Sequence, residues 1–305
     1  MKNAGESGAA TAPVETVHGA PESARVGGVR LQVSDLERSL AFYQDVLGLH
    51  LLGRDGESAS LGAQGGDEVL VQLVARRGAR PVPRGGRLGL YHFALLLPDR
   101  ADLGRFLSSL RAHGVAAGAA DHAVSEAVYL HDPDNLGIEV YADRPRSAWE
   151  RRNGELVMTT EPLDVRDLFA AAGNSPWTGA PEGSRIGHVH LSVGDLARAD
   201  AFYHGALGLE RTVWSYPGAL FFAAGGYHHH VGTNVWAAHA GAPEADEAQL
   251  LEWELLPPTD AAVRDATARL EQGGYDAQRD ARGGVVARDP WGTAVRVRAE
   301  RAPAR

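Results

Sequence analysis

The chain repeats itself, and that repeat limits its fold more than any other feature. Residues 26–49 lie over residues 186–209 without a gap, and thirteen of the 24 positions are identical, including the closing Leu-Gly-Leu. At the same offset of 160 residues, the segment 89–115 lies over 249–275. Further on, His131-Asp132-Pro133-Asp134 aligns with Arg288-Asp289-Pro290-Trp291. A repeat of this length means a duplicated structural unit. Each half begins a similar motif twice, so the chain holds four modules.

The local pattern of each module is consistent. Val29, Leu31 and Val33 alternate with polar residues, which predicts a half-buried strand. Ser34 followed by Glu37 reads as a capping box that opens a helix. Leu36, Leu40, Tyr43 and Leu47 fall on one helical face, and Gly48 stands where a glycine would end the helix. The second module follows suit, with a strand over 91–97, a helix over 101–112 and then Gly114. Short apolar runs such as 68–74 and 127–130 predict further strands. The predicted unit is strand–helix–strand–strand–strand, four times over, an α+β chain. Residues 1–25 read as a flexible polar arm, 26–142 and 186–300 as two domains of two modules each, and 143–185 as a connector with one helical piece near 163–172. That connector is long for a passive linker and is expected to pack on something.

Composition narrows the chemistry. The 305 residues contain no cysteine, which excludes disulfides, zinc fingers, iron–sulfur clusters and thiol nucleophiles. A bound metal would have to be held by His, Asp, Glu or backbone. The net charge of −9 argues against a nucleic-acid surface. No run of 18 apolar residues predicts a membrane span, and the N-terminus lacks an apolar signal region, so a cytoplasmic protein is expected.

Four such modules, with His at the start of a first strand and Glu on a fourth, resemble the vicinal oxygen chelate superfamily, which includes glyoxalase I, extradiol ring-cleaving dioxygenases and antibiotic-sequestering resistance proteins. The resemblance covers roughly residues 26–142 and 186–299 and implies four βαβββ modules in two curved mixed sheets. Within it, His122, Tyr129, Asp132-Pro133 and Glu139 resemble the extradiol dioxygenase signature, and the segments GLYHFALLLPDR, DHAVSEAVYL, YADRPR and GGYHHHVGTNVW are similar to the catechol 2,3-dioxygenase group. Ala120 and Asn135 depart from the signature. Asn tolerates positive φ, so the Asp-Pro turn should survive.

The resemblance implies a metal held by two His and one carboxylate, a ligand set suited to non-haem Fe(II), with Mn(II) accepting the same donors. First-strand positions carry Gly28, His92, His188 and Glu252 in modules one to four, and fourth-strand positions carry Glu139 in module two and Arg296 in module four. Pairing in chain order leaves both halves without a complete triad. Pairing module two with module three unites His92, Glu139 and His188 and leaves the pair of modules one and four metal-free. Glu139, between apolar neighbours, would be costly to bury without a partner. Taken singly, His92 or His188 could equally be a solvated or capping histidine.

Further roles follow from the same resemblance. His122 would bond or deprotonate a substrate hydroxyl, and Tyr129 would donate to a substrate oxygen, unless it is a core aromatic. In the run His228-His229-His230, read as part of a strand, the resemblance selects His229 as the residue beside dioxygen. Strand alternation instead groups His228 with His230, and a bulge would reconcile the two. His190 is left between a supporting partner of His188 and an exposed residue. Phe93, Trp236 and Tyr227 are candidates for the cup lining.

The expected function is an extradiol dioxygenase inserting both atoms of O2 into a small aromatic diol. The alternatives are a glyoxalase-like isomerase or lyase, and a non-catalytic binder of aromatic drugs. Glyoxalase I-type sites use four ligands with two carboxylates, and only one good carboxylate is found here. No nucleic acid or membrane partner is expected. Edge strands in such modules leave a homo-oligomer open.

Overall fold

The computed structural model describes residues 24–279, 281–282 and 284–300. The arm expected over 1–25 lies outside the described residues, apart from Ala24 and Arg25. Module one comprises β1 (Arg25–Val33), α1 (Leu36–Ala41), β2 (His50–Asp55), β3 (Ser58–Gly62) and β4 (Val71–Ala75). Module two comprises β5 (Gly89–Leu96), α2 (Arg100–Ala112), β6 (Gly118–Asp121), β7 (Ser125–His131) and β8 (Gly137–Asp143). The connector carries β9 (Arg151–Arg152), β10 (Glu155–Leu156) and α3 (Val165–Ala172). Module three follows with β11 (Arg185–Ser192), α4 (Leu196–Asp200), β12 (Glu210–Val213), β13 (Ala219–Ala223) and β14 (Val231–Asn234). Module four has β15 (Gln249–Leu256), α5 (Asp260–Gln272), β16 (Ala277–Arg279), β17 (Val285–Arg288) and β18 (Ala294–Val297).

The strands form two curved, mixed eight-stranded sheets, ordered β16-β17-β18-β15-β1-β4-β3-β2 and β12-β13-β14-β11-β5-β8-β7-β6. Each sheet therefore takes one module from each half: one with four, two with three. The seams are antiparallel pairs, β1 with β15 and β5 with β11, and each seam strand pairs in parallel with the fourth strand of its own module.

Strand alternation then sorts the side chains. Leu31 and Val33, Phe93 and Leu95, Val189 and Leu191, Trp253 and Leu255 enter one continuous core that also takes Leu40, Tyr43, Phe106, Phe202 and Leu270 from the helical segments. Their strand neighbours Arg30, His92, His188, His190 and Glu252 point to the opposite faces, the two cups, because successive strand residues alternate. Phe93 is thereby corrected: it is buried in the core, stacked on Tyr43, and does not line the cup.

The first helix begins differently from the expected capping box. Asp35 is the N-cap and accepts from the backbone N of Arg38 at 3.0 Å, while Ser34 bonds the buried Asp134 through both its N and Oγ at 2.7 Å. Asp134 belongs to the Asp-Pro turn of module two, which Asn135 completes at φ +64°. Past α1 and α4 the helices continue as π-helical turns, Phe42–Val46 and Ala201–Ala206, and the tyrosine in each reaches the equivalent turn of the next module. Tyr43 donates to Asp132 at 3.2 Å and Tyr203 to Asp289 at 2.8 Å. Modules one and two, and three and four, are thus tied by helix-to-turn bonds, while the sheets tie two to three and one to four.

Burial pushes the Asp132 carboxyl up to about 7, so each donor that reaches it matters. Tyr43→Phe should lower unfolding free energy by about 1–2 kcal/mol in urea titrations, because a buried acceptor loses a donor. Tyr203→Phe should act similarly at Asp289, and the double variant should show the sum.

Candidate metal centre

The seam of the second sheet builds the site. β11 opposes β5 with His190 across from His92 and His188 across from Ala94. β8 lies parallel to β5 with Glu139 beside Ala94. Three side chains from three adjacent strands so project from one face. His92 Nε2 is 2.9 Å and His188 Nε2 3.2 Å from the same Glu139 oxygen. One donor atom from each residue lies within 4.8 Å of the others, a group able to hold a metal ion.

The electrostatics fit a cation. Burial opposes the charge of Glu139, but the facing His188 and His92 imidazoles outweigh it and hold the carboxyl well below its usual range. Burial brings His188 down to about 4, so near neutral pH it is an unprotonated donor. Glu139 is therefore a buried anion between imidazoles, and among the described residues its only ion-pair partners are those two histidines. His92 Nε2 is buried, and its 2.9 Å approach to Glu139 lacks hydrogen-bond geometry. An ionised carboxylate beside an unprotonated His188 suits metal ligation, which needs ligands free of protons, and a buried charge left unpaired is costly.

The other predicted residues gather around this triad. Tyr129 stands across from Glu139 on β7, its ring 5.6 Å from that of His92. Its hydroxyl is 2.6 Å from His122 Nε2, and His122 Nδ1 is 2.6 Å from the Thr159 carbonyl oxygen. A carbonyl only accepts, so Nδ1 carries the proton, and a neutral His122 must accept at Nε2 from the Tyr129 hydroxyl. Burial, reinforced by Glu139, raises the Tyr129 phenol well above its ordinary value, which keeps the O–H in place. The connector supplies Thr159: it runs past the cup with Glu161 bridged to Asp121 and Thr160 Oγ1 2.8 Å from the Tyr216 hydroxyl.

His228, His229 and His230 are not in a strand. They precede β14, which starts at Val231, and all three are buried. Alternation therefore does not govern them; they fan out from an irregular segment. His229 stacks near His188 with ring centroids 4.0 Å apart, whereas His230 lies against Tyr227 and accepts from the Ala224 backbone N. His228 bridges outward, with Nε2 2.9 Å from Asp143 and Nδ1 2.7 Å from His229 Nδ1. Asp143 is placed to accept from His228 Nε2–H, and the short Nδ1–Nδ1 contact has one of His228 and His229 donating to the other. Burial holds the His229 pKa well below the ordinary imidazole value, so near neutral pH its ring is uncharged.

His190 is buried, not exposed, with its ring 5.0 Å from that of His92. It lies over Gly232, where an added Cβ would meet the ring at 3.0 Å. Trp236 is a half-exposed rim residue beside His190 and Tyr91, while Tyr227 is buried and bonded to Tyr141 at 2.7 Å. The sequence reasoning missed Asp143 and Thr159. Asp143 is 85 residues from the His228 it bonds, and Thr159 acts through its backbone, so neither leaves a motif.

Comparison with known proteins agrees with this architecture. The family model for the glyoxalase/bleomycin resistance protein/dioxygenase superfamily matches residues 25–140 and 185–297, and the chain belongs to that superfamily. A catechol-2,3-dioxygenase of Bacillus subtilis (strain 168) is 45% identical over 258 residues, covering 83% of this chain and 90% of that protein. Among solved structures, glyoxalase I from Zea mays aligns with a TM-score of 0.53 at 19% identity over 91% of this chain and 92% of its own. A Bacillus subtilis subsp. subtilis str. 168 structure, provisionally assigned as a dioxygenase, aligns with a TM-score of 0.62 at 16% identity, covering 91% and 86%. At such identities both show the shared fold alone. Among the described residues, no helix is long and apolar enough to cross a membrane.

The buried imidazoles set an acid limit. Burial lowers His188 from 6.5 to about 4 and His230 from 6.5 to about 3. Between those values and 6.5 the unfolded chain binds protons that the folded chain does not, so their contribution is complete above 6.5 and lost as pH falls. Urea midpoints of metal-free protein should therefore drop between pH 7 and pH 4. His230→Asn should flatten that slope relative to wild type; an unchanged slope would show that His230 does not contribute.

Proposed function

We propose that the protein is a metal-dependent extradiol dioxygenase acting on a catechol-type substrate, with Fe(II) as the metal and Mn(II) as an alternative on the same ligands. The observation that carries this reading is the buried Glu139 carboxylate facing the imidazoles of His92 and His188, with one donor atom from each of the three close together. The 45% identical catechol-2,3-dioxygenase supports it independently. His92, Glu139 and His188 would hold the metal. Three protein donors leave further positions on such an ion, and when bound it supplies the place where a catecholate and dioxygen meet.

The remaining side chains handle protons and orientation. Tyr129 O–H and His122 Nε2 form a donor–acceptor pair beside Glu139, suited to orienting one substrate hydroxyl and taking its proton. Thr159 fixes the tautomer that leaves His122 Nε2 able to accept. His229 faces the triad from the other module as an uncharged imidazole able to accept a proton during ring cleavage, held by the Nδ1 contact with His228, which Asp143 anchors in turn. Tyr91 and Trp236 offer aromatic faces at the rim for a planar ring.

The four-ligand glyoxalase arrangement has less support. In module three Gly232 pairs beside His190 as Glu139 pairs beside Ala94 in module two, so the site offers no second carboxylate there.

Protein loaded anaerobically with Fe(II) and given catechol and air should take up one O2 per catechol and develop the yellow ring-cleavage chromophore. No oxygen uptake across a panel of catechols would overturn the reading. Alanine at His92, Glu139 or His188 should each abolish stoichiometric metal by elemental analysis, whereas Glu252→Ala should not. Tyr129→Phe should keep the metal and lower turnover by about 100-fold or more; an unaltered rate would remove Tyr129 from the chemistry.

A further inference from the structure

The other sheet also forms a cup, whose lining sets four arginines among five carboxylates. The positions equivalent to His188, His92 and Glu139 are Gly28, Glu252 and Arg296, on β1, β15 and β18. Arg296, almost fully buried, forms a two-pronged pair with Glu252 at 2.9 and 3.1 Å, and Arg282 reaches the same carboxylate at 3.0 Å. This ion pair takes the place that a metal would fill. The cup nevertheless stays open: a cavity of about 860 Å³ is lined by Arg30, Ser60, Val69, Gln72 and Glu252, among others.

Arg30 is the informative residue. It takes the position that His190 holds in the metal centre, half-buried on the cup face of β1. Its Nε is buried without a hydrogen-bond partner among the described residues. Burial, with the nearby Arg282 and Arg296 guanidinium groups, lowers its pKa from the ordinary value against the opposing pull of Glu252. Gln72 stands directly beside it on β4, and Ser60 beside Gln72 on β3, so polar side chains continue across the same face. Val69 adds one of the few exposed large apolar side chains, at 39% exposure. At the rim, by contrast, Arg25 pairs with Glu68 and Glu300, and Arg298 with Glu254.

We propose that this second cup is a binding site for a small organic monocarboxylate, whose carboxylate pairs with Arg30 and whose body lies against Gln72, Ser60 and Val69. A planar guanidinium matches a carboxylate by parallel N–H···O bonds. A single such fork suits a monoanion better than a phosphate dianion. The cavity is within the size range of small-molecule sites and far larger than a bare ion needs. The site uses no residue of the metal centre, so it does not depend on the function proposed above.

The test is calorimetric titration of metal-free full-length protein with sodium benzoate at constant ionic strength, with inorganic phosphate in a parallel arm. One saturable benzoate site per chain is expected. It should weaken at least tenfold in Arg30→Gln and Arg30→Met, which keep the stem but lose the charge, and remain unchanged in His188→Ala. In wild-type protein, the Arg30 Nε–H resonance should shift with benzoate along the same isotherm, a readout that needs no variant. Absence of saturation, binding indifferent to Arg30, binding lost with His188, or phosphate binding as tightly as benzoate would each overturn the proposal.

Discussion

The antiparallel seam between β5 and β11 is the contact on which the site depends. It joins a strand of the first half to a strand of the second, with His92 facing His190 across the ladder and His188 one step along. The parallel partner of β5 then delivers Glu139 to the same face. None of these donors is near another in sequence, and a slip of one residue would turn either histidine into the core. The helix-to-turn bonds from Tyr43 and Tyr203 tie module one to two and module three to four, so each half brings one module to each sheet.

The two cups show how one backbone plan diverges by charge. Each buries a glutamate on its cup face, Glu252 on a seam strand and Glu139 on the strand beside one. In one sheet Glu139 has only His92 and His188 as ion-pair partners among the described residues. In the other, Arg296 and Arg282 supply the counter-charge internally. The arginine at the fourth-strand position thus separates a metal-type cup from a cup closed to metal, since a guanidinium in the ligand plane both neutralises the carboxylate and occupies its oxygens.

Much of this was legible in the sequence because it depends on local rules. Alternating apolar positions define Val29, Leu31 and Val33 as a core-facing set, and Gly48 ends its helix at φ +73°. The same rule, applied to Phe93, shows why it could not share a face with His92. The failures have local causes as well. Ser34 looks like a cap, but a buried carboxylate 100 residues away claims it and leaves Asp35 to cap the helix. The three consecutive histidines resemble a strand, but the segment before β14 is irregular, so their directions follow from packing against His188, Asp143 and Tyr227 and not from periodicity.

The sequence by itself determined the four modules, the residue types at the candidate ligand positions and the fact that Glu139 lies among apolar residues and needs a partner. It also named the pairing of modules two and three, but only through the chemistry of a complete triad. Strand alternation could not choose that pairing, because all four first strands carry the same in-out pattern and any two could align. Only the tertiary structure decided it, through the register of the two seams, while buried tyrosine–aspartate bonds tie the modules within each half. It alone placed the Thr159 carbonyl behind His122 and Asp143 behind His228, because a hydrogen bond between distant segments depends on where the backbone returns in space.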